Sequence, residues 1–243
     1  MTLCTFSASV ALAAETRAAP AGAESALLIG SSSVSQEFGG VIARALERQG
    51  YRVTRRGVTS AGFARPDYRD MHALMERLSI DRHTAVVIVY LGVNDAQSLW
   101  LTPPERASIG RRWLPWSDAR WSRVYERRAR RFVERICERG AGRVLVLLPV
   151  DVARERLQQR LQRIRRLQAR AAAATSCGAA IWTDGDVGRF EAAGLARRRR
   201  DGFHMTRHGA RVVWERIRER ALESIRHGAG SPRTAAQLGV PIR

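Results

Sequence analysis

SALLIGSSSVSQEFGG, residues 25–40, stops an apolar run at a glycine, spills into three serines and then changes its hydrophobic spacing. SALLIG (25–30) reads as a strand, and the helix-period segment that follows, about 35–49, closes on Gly50 as a C-cap glycine. Further strand-like runs are YRVTRRGV (51–58), TAVVIVYLG (84–92), RVLVLLP (143–149) and AAIWTD (179–184). Between and after them lie helix-period segments at about 67–79, 118–138, 151–174 and 206–227. Strands alternating with helices imply a parallel sheet covered on both faces. In such a sheet, chemistry collects at the carboxyl ends of the strands, so a serine at 31–33 is either a nucleophile or a helix N-cap.

The chain has 243 residues, enough for one well-packed domain, which we place at 25–227. Its formal charge of +19 is carried by arginine alone, since the sequence contains no lysine. Many arginines sit three or four residues from glutamates, as in VYERRARRFVERICERG, the spacing of surface pairs on a solvated helix. The excess still favours anionic partners at low salt. No nucleic-acid-binding motif accompanies it, and nucleic acid is not expected as a partner. Along 151–174, Leu157, Leu161, Ile164 and Leu167 form one stripe opposite arginines, the pattern of a core-facing helix.

Residues 1–24 are apolar and small-residue-rich, then Ala/Gly/Pro-rich, with ALA at 11–13 fitting a signal cleavage site. The reading is a signal peptide and linker, and hence a periplasmic or secreted protein; the alternative is a disordered cytoplasmic tail. No later stretch has the length of a transmembrane helix. Residues 228–243 read as a loose, flexible C-terminal tail. Cys137 ends a helix and Cys177 precedes a strand, near the same edge of a parallel sheet. A disulfide and two independent buried thiols both fit.

The strand ends deliver a chemical set. The first carries Ser31, Ser32 and Ser33; the second leads to Gly62, where no Cβ blocks the approach of a backbone N–H; the third ends in LGVND with Asn94 and Asp95. Asp201 and His204 stand three residues apart before the last helix. A serine hydroxyl needs an imidazole to take its proton, and the imidazole needs a carboxylate to hold its tautomer. The oxyanion formed on attack needs preorganised N–H donors, which a glycine backbone and an Asn amide supply. These parts point to acyl transfer.

Taken together, Gly-x-Ser after strand one, Gly after strand two, Gly-x-Asn-Asp after strand three and Asp-x-x-His before a C-terminal helix resemble the SGNH (GDSL-type) hydrolase superfamily. The strings SAGFARPDYRD, LGVNDAQSLW and DGFHMTRHGAR look like an uncharacterised envelope-associated branch of it. The resemblance implies an α/β fold, a three-layer α/β/α sandwich of flavodoxin type with a five-stranded parallel sheet, and esterase, lipase or carbohydrate O-acyl chemistry with no cofactor and no metal. Carried over, it makes Ser32 the nucleophile, His204 the base and Asp201 its orienting partner, with Ser32, Gly62 and Asn94 forming the oxyanion hole. Where the superfamily reads Gly-Asp-Ser, this chain has Gly30-Ser31-Ser32, and the triplet leaves Ser33 as a second register. His204 and His208 are four apart, but no acidic or Cys ligand set accompanies them as a metal site.

The long segment after strand three holds Trp100, Trp113, Trp116 and Trp121, which either contact a ligand or pin the loop to the core. Gln97, Trp100 and Arg200 are candidate substrate contacts. The expected substrate is an O-acyl, most simply O-acetyl, ester on an envelope carbohydrate or another small ester, with an anionic envelope polymer as a further partner. A carbohydrate O-acetyltransferase using the same acyl-enzyme is the alternative. A noncatalytic binding protein for an anionic polymer is the second.

Overall fold

The computed structural model describes residues 24–152, 154–183 and 201–226. Five parallel strands form the main sheet: β1 (Ser25–Gly30), β2 (Arg52–Gly57), β3 (Thr84–Tyr90), β6 (Val144–Leu147) and β7 (Gly178–Ile181). Their spatial order is β2-β1-β3-β6-β7. The order reverses between β1 and β3, and ligand crevices of open α/β sheets form outside the strand ends at such a switch.

Period-two alternation divides the core in two. Leu27, Ile29, Val87, Val89, Val144 and Val146 face one side, where they pack with residues of α5 (Arg120–Glu138) and α6 (Glu155–Ala173). Ala26, Leu28, Val86, Ile88, Leu145 and Leu147 face the other, against α2 (Glu37–Glu47) and α7 (Arg207–Arg226). The result is the α/β/α sandwich with the five-stranded parallel sheet. The stripe on α6 is buried at Leu161, Ile164 and Leu167 and partly buried at Leu157. On α7 the buried positions Ala210, Val213, Trp214, Ile217 and Ala221 keep the helical spacing.

Several boundaries differ from the sequence reading. The first helix is two, α1 (Ser32–Ser35) and α2, because Gln36 leaves the helical conformation at φ −100° and ψ −149°. The segment at 67–79 is helical only over α3 (Met71–Glu76), where the Asp70 carboxylate caps the amides of His72 and Ala73. The long segment after β3 is built rather than loose. A 3₁₀ turn (Val93–Asp95) leads to a short antiparallel pair, β4 (Leu99–Trp100) and β5 (Trp113–Leu114), around α4 (Pro103–Ile109). A proline in the first turn and the Thr102/Glu105 capping box start α4.

Of the two cysteine alternatives, the structure has the disulfide: Cys137 at the end of α5 joins Cys177 just before β7. Closing a loop between residues 40 apart in sequence stabilises a domain by about 2–4 kcal/mol. The N-terminal 1–23 and the tail from 227 onward lie outside the described residues, as do the segments read there as signal peptide, linker and tail. Among the described residues, no helix is long and apolar enough to cross a membrane.

Candidate active site

The tip of β1 is stitched to both neighbours. Gly30 accepts from the Val58 amide at 2.9 Å, and Ser31 N–H donates to the Tyr90 carbonyl of β3 at 3.2 Å. A Cβ on Gly30 would lie 2.3 Å from that carbonyl and 2.6 Å from the Val34 side chain, so only glycine lets the chain turn here into α1. Ser32 is the first residue of α1, where backbone N–H groups have no acceptor within the helix. Ser32 is buried, and its hydroxyl is aimed at the segment before α7.

That segment carries His204 and Asp201. Ser32 Oγ lies 2.7 Å from His204 Nε2, and His204 Nδ1 lies 2.7 Å from Asp201 Oδ2. Asp201 Oδ1 accepts the backbone amides of Phe203 and His204, both at 2.9 Å, closing a local turn that fixes the imidazole. Burial raises the Asp201 pKa, but the His204 amide, the His204 ring and the Phe203 amide outweigh it and hold the group down at about 2. An ionised carboxylate only accepts, so Nδ1 carries the proton and Nε2 is free to accept from the serine. Thr206 anchors the loop to α7 by accepting the Gly209 amide at 3.1 Å.

The structure therefore brings together Ser32, His204 and Asp201. It pairs Ser32, rather than Ser33, with the imidazole. His208 points outward and is exposed.

The loop after β2 carries Gly62 and the turn after β3 carries Asn94. Asn94 Nδ2 donates to the Ala61 carbonyl at 2.9 Å, tying the two loops together. One amide hydrogen is used in this contact, and a primary amide has two. The loop makes its corner at Ser60, which is held at φ +60°, a backbone region costly for a residue with a side chain.

Asp95, quoted in the sequence but given no role there, supports this loop from below. It is fully buried and accepts from the Ala64 amide at 2.8 Å and the Tyr125 hydroxyl at 2.9 Å. Tyr125 in turn accepts from Gln168 at 2.9 Å. A Cβ on Gly62 would fall 2.2 Å from Asp95 Oδ1, so the glycine is what permits the carboxylate to press against the backbone. Burial raises the Asp95 pKa to about 6, against the lowering effect of Ala64, Tyr125 and Phe63.

Arg128, buried in α5, holds the same loop. It donates to the Phe63 and Trp100 carbonyls, each at 2.6 Å, and pairs with Glu105. Neither Asp95 nor Arg128 was assigned from sequence. The Asn-Asp pair at a strand tip was the available signal for Asp95; Arg128 is one of many arginines on its helix, and nothing in their spacing marks it as buried.

The remaining candidates separate by what they touch. The Gln97 side-chain amide donates to the Asn94 carbonyl, bracing the 3₁₀ turn. Trp121 is buried, stacks on Tyr125 with ring centroids 5.0 Å apart, and donates to the Gln97 carbonyl at 2.9 Å. Trp116 packs on Trp121 at 4.3 Å. These two pin the long segment to the core. Trp100 is half-buried on the outer face of the β4–β5 pair. Arg200 lies outside the described residues.

Three comparisons bear on this arrangement. None of the curated proteins matches the sequence. Solved structures share the fold at low identity, among them an acetylxylan esterase from Geobacillus stearothermophilus, in a catalytic-mutant form (14% identity, TM-score 0.54, 83% of this chain and 94% of that one). A member of the lipolytic G-D-S-L family from Veillonella parvula aligns with 15% identity and a TM-score of 0.54, over 82% of this chain and 96% of that one. A carbohydrate esterase of family 3 from Talaromyces cellulolyticus aligns with 12% identity and a TM-score of 0.52, over 84% and 99%. A family model described as protein of unknown function (DUF459) matches residues 25–220, from β1 into α7. The chain belongs to that family, and its fold is that of the SGNH hydrolases.

Proposed function

We propose that the protein is a serine esterase that hydrolyses an O-acyl ester, O-acetyl in the simplest case, on an envelope carbohydrate. The observation that carries this reading is the unbroken chain from Ser32 Oγ through the His204 ring to Asp201, with both contacts at 2.7 Å. Ser32 Oγ attacks the ester carbonyl while His204 Nε2 takes its proton, and the imidazolium that forms is stabilised by the ionised Asp201. The oxyanion of the tetrahedral intermediate receives N–H groups from Ser32, Gly62 and the second amide hydrogen of Asn94. His204 returns the proton to the leaving alcohol oxygen, the C–O bond breaks, and the acyl group stays on Ser32. Water, deprotonated by the same ring, then attacks the acyl-enzyme, releasing the acid and restoring the serine.

Carbohydrate as the acyl carrier is supported by the fold shared with an acetylxylan esterase and a carbohydrate esterase of family 3. A periplasmic or secreted location is supported by the Cys137–Cys177 disulfide, since such bonds persist in oxidising compartments.

Hydrolysis of p-nitrophenyl acetate by the full chain tests the reading. Ser32→Ala lowers kcat by about 10⁴–10⁶-fold, whereas Ser33→Ala retains activity. Equal loss in both variants, or none in Ser32→Ala, overturns the assignment of the nucleophile.

A further inference from the structure

The β4–β5 pair sorts its side chains by the period of a strand. Leu99 and Leu114 face each other on the inner side and are fully buried. Trp100 and Trp113 face each other on the outer side, their rings edge to face with centroids 5.0 Å apart, and Trp113 is 39% exposed. The two leucines, together with Trp116 and Trp121, already anchor the segment. Anchoring therefore does not explain the exposed Trp113 indole beside the half-buried Trp100, and an exposed large aromatic residue is characteristic of binding surfaces.

Three guanidinium groups frame them. Arg112 lies 4.0 Å and Arg106 5.0 Å from the Trp100 ring, and Arg65 lies 4.8 Å from the Trp113 ring. The nearby carboxylates are already engaged: Asp67 by Arg65, Glu105 by buried Arg128, and Asp118 by Arg120 and Arg111. Among the described residues, Arg106 and Arg112 form no ion pair with a carboxylate, so this face carries cationic charge in excess of its acids.

The face is also part of one rigid piece with the oxyanion loop. Trp100 N–H donates to the Ala64 carbonyl at 3.0 Å, and the single guanidinium of Arg128 bridges the Phe63 and Trp100 carbonyls. Gly62 and Arg65 belong to that same loop.

We infer that the outer face of the β4–β5 pair, Trp100 and Trp113 framed by Arg65, Arg106 and Arg112, is a docking subsite for an acidic glycan. The inference rests on the reading of the site as a carbohydrate esterase and specifies the carrier. A pyranose ring presents an apolar C–H face that packs on an exposed indole, and the guanidinium groups of Arg106 and Arg112, not engaged by a carboxylate among the described residues as Arg65 is by Asp67, can hold sugar carboxylates through charge-assisted hydrogen bonds. The exposed part of Trp113 offers such a surface beside the guanidinium groups that pack over the two rings. A polymer held here lies against the piece of structure that sets the oxyanion donors.

Tryptophan-fluorescence titration of the full chain with an oligogalacturonate, and with a neutral xylo-oligosaccharide of equal length, tests the inference. The acidic oligomer binds and the neutral one binds at least about tenfold more weakly, as expected when charge-assisted hydrogen bonds are lost. Trp113→Ala and Arg112→Gln each weaken oligogalacturonate binding by about tenfold, with thermal melting by circular dichroism verifying that both variants are folded. Arg218→Gln, on α7 at the opposite face of the sheet, leaves binding unchanged. Equal affinity for the neutral oligomer, no binding of the acidic one, or an equal loss in Arg218→Gln overturns the subsite. So does tighter binding of a single-stranded oligonucleotide of equal charge. Turnover of p-nitrophenyl acetate without glycan binding removes the subsite alone. Glycan binding without Ser32-dependent turnover removes the esterase reading and leaves the face as a binding surface.

Discussion

The two sides of the candidate site are held by different physics. The side of the proposed base is local and partly open: Asp201 and His204 lie three residues apart, and their side chains are 36% and 24% exposed. The proposed oxyanion side rests on buried groups assembled from afar, with Asp95 bonded to Ala64 across 31 residues and Arg128 to Phe63 across 65. A base must exchange protons with substrate and water, so exposure suits it. Donors to an oxyanion work by being fixed before charge develops, which favours a rigid, buried support. Substitutions on the two sides therefore fail in different ways.

The largest effect belongs to the buried brace. Arg128→Leu leaves Glu105 unpaired and two carbonyls without their donor, and we expect a loss of about 3–5 kcal/mol of stability by chemical denaturation. A loss below about 1 kcal/mol, the range of surface pairs, would mean that the brace is no different from an exposed ion pair.

Asn94→Ala comes next. It removes a donor and the tie to Ala61, and kcat on p-nitrophenyl acetate falls by about 10²–10³-fold, with far less change in stability than for Arg128→Leu. An unchanged kcat would take Asn94 out of the oxyanion hole.

Asp95→Asn sharpens the comparison, because it keeps the shape and removes the charge. The Asn amide turns a donor toward Tyr125, whose hydroxyl already accepts from Gln168, so the loop loses a fixed partner. We expect kcat to fall by roughly 10- to 100-fold through misplacement of the Gly62 loop, with KM nearly constant. A change in KM alone would place Asp95 in substrate binding instead of positioning.

The smallest effect is in pH dependence, and its sign differs between the sides. Asp201 is held at about 2, below its unfolded value, so it contributes stability above about pH 4 that is lost as the pH falls toward 2. Asp95 is raised from 3.8 to about 6, so the folded state binds the extra proton and its contribution declines as the pH rises through that interval. Melting temperature measured from pH 3 to 8 resolves the two, since Asp95→Asn removes the decline between about 4 and 6 and leaves the acid limb. An identical profile in the variant would show that folding leaves the Asp95 pKa unshifted.

Much of the fold was legible because its signals are local. β1, β3 and the stripe on α6 follow from apolar spacing that a few consecutive residues display. The break at Gln36 was not, since nothing in SSVSQEF by itself favours two short helices over one. The β4–β5 pair was missed for a similar reason: two-residue strands have no period to read. At the site, Ser32, Asn94, Asp201 and His204 stood out by residue type at strand ends. Asp95 and Arg128 did not, because their importance comes from burial, and a charged residue in sequence gives no indication of whether it is buried.

By itself the sequence determined the alternation of strands and helices, the reactive residue types and the loops that carry them, since each of these depends on neighbours along the chain. Only the tertiary structure decided which serine meets the imidazole, that Cys137 joins Cys177, that Trp121 is core while Trp113 is surface, and that a buried carboxylate presses on Gly62. Those outcomes depend on distances between segments far apart in the chain, which are set when the sheet and its helices pack together.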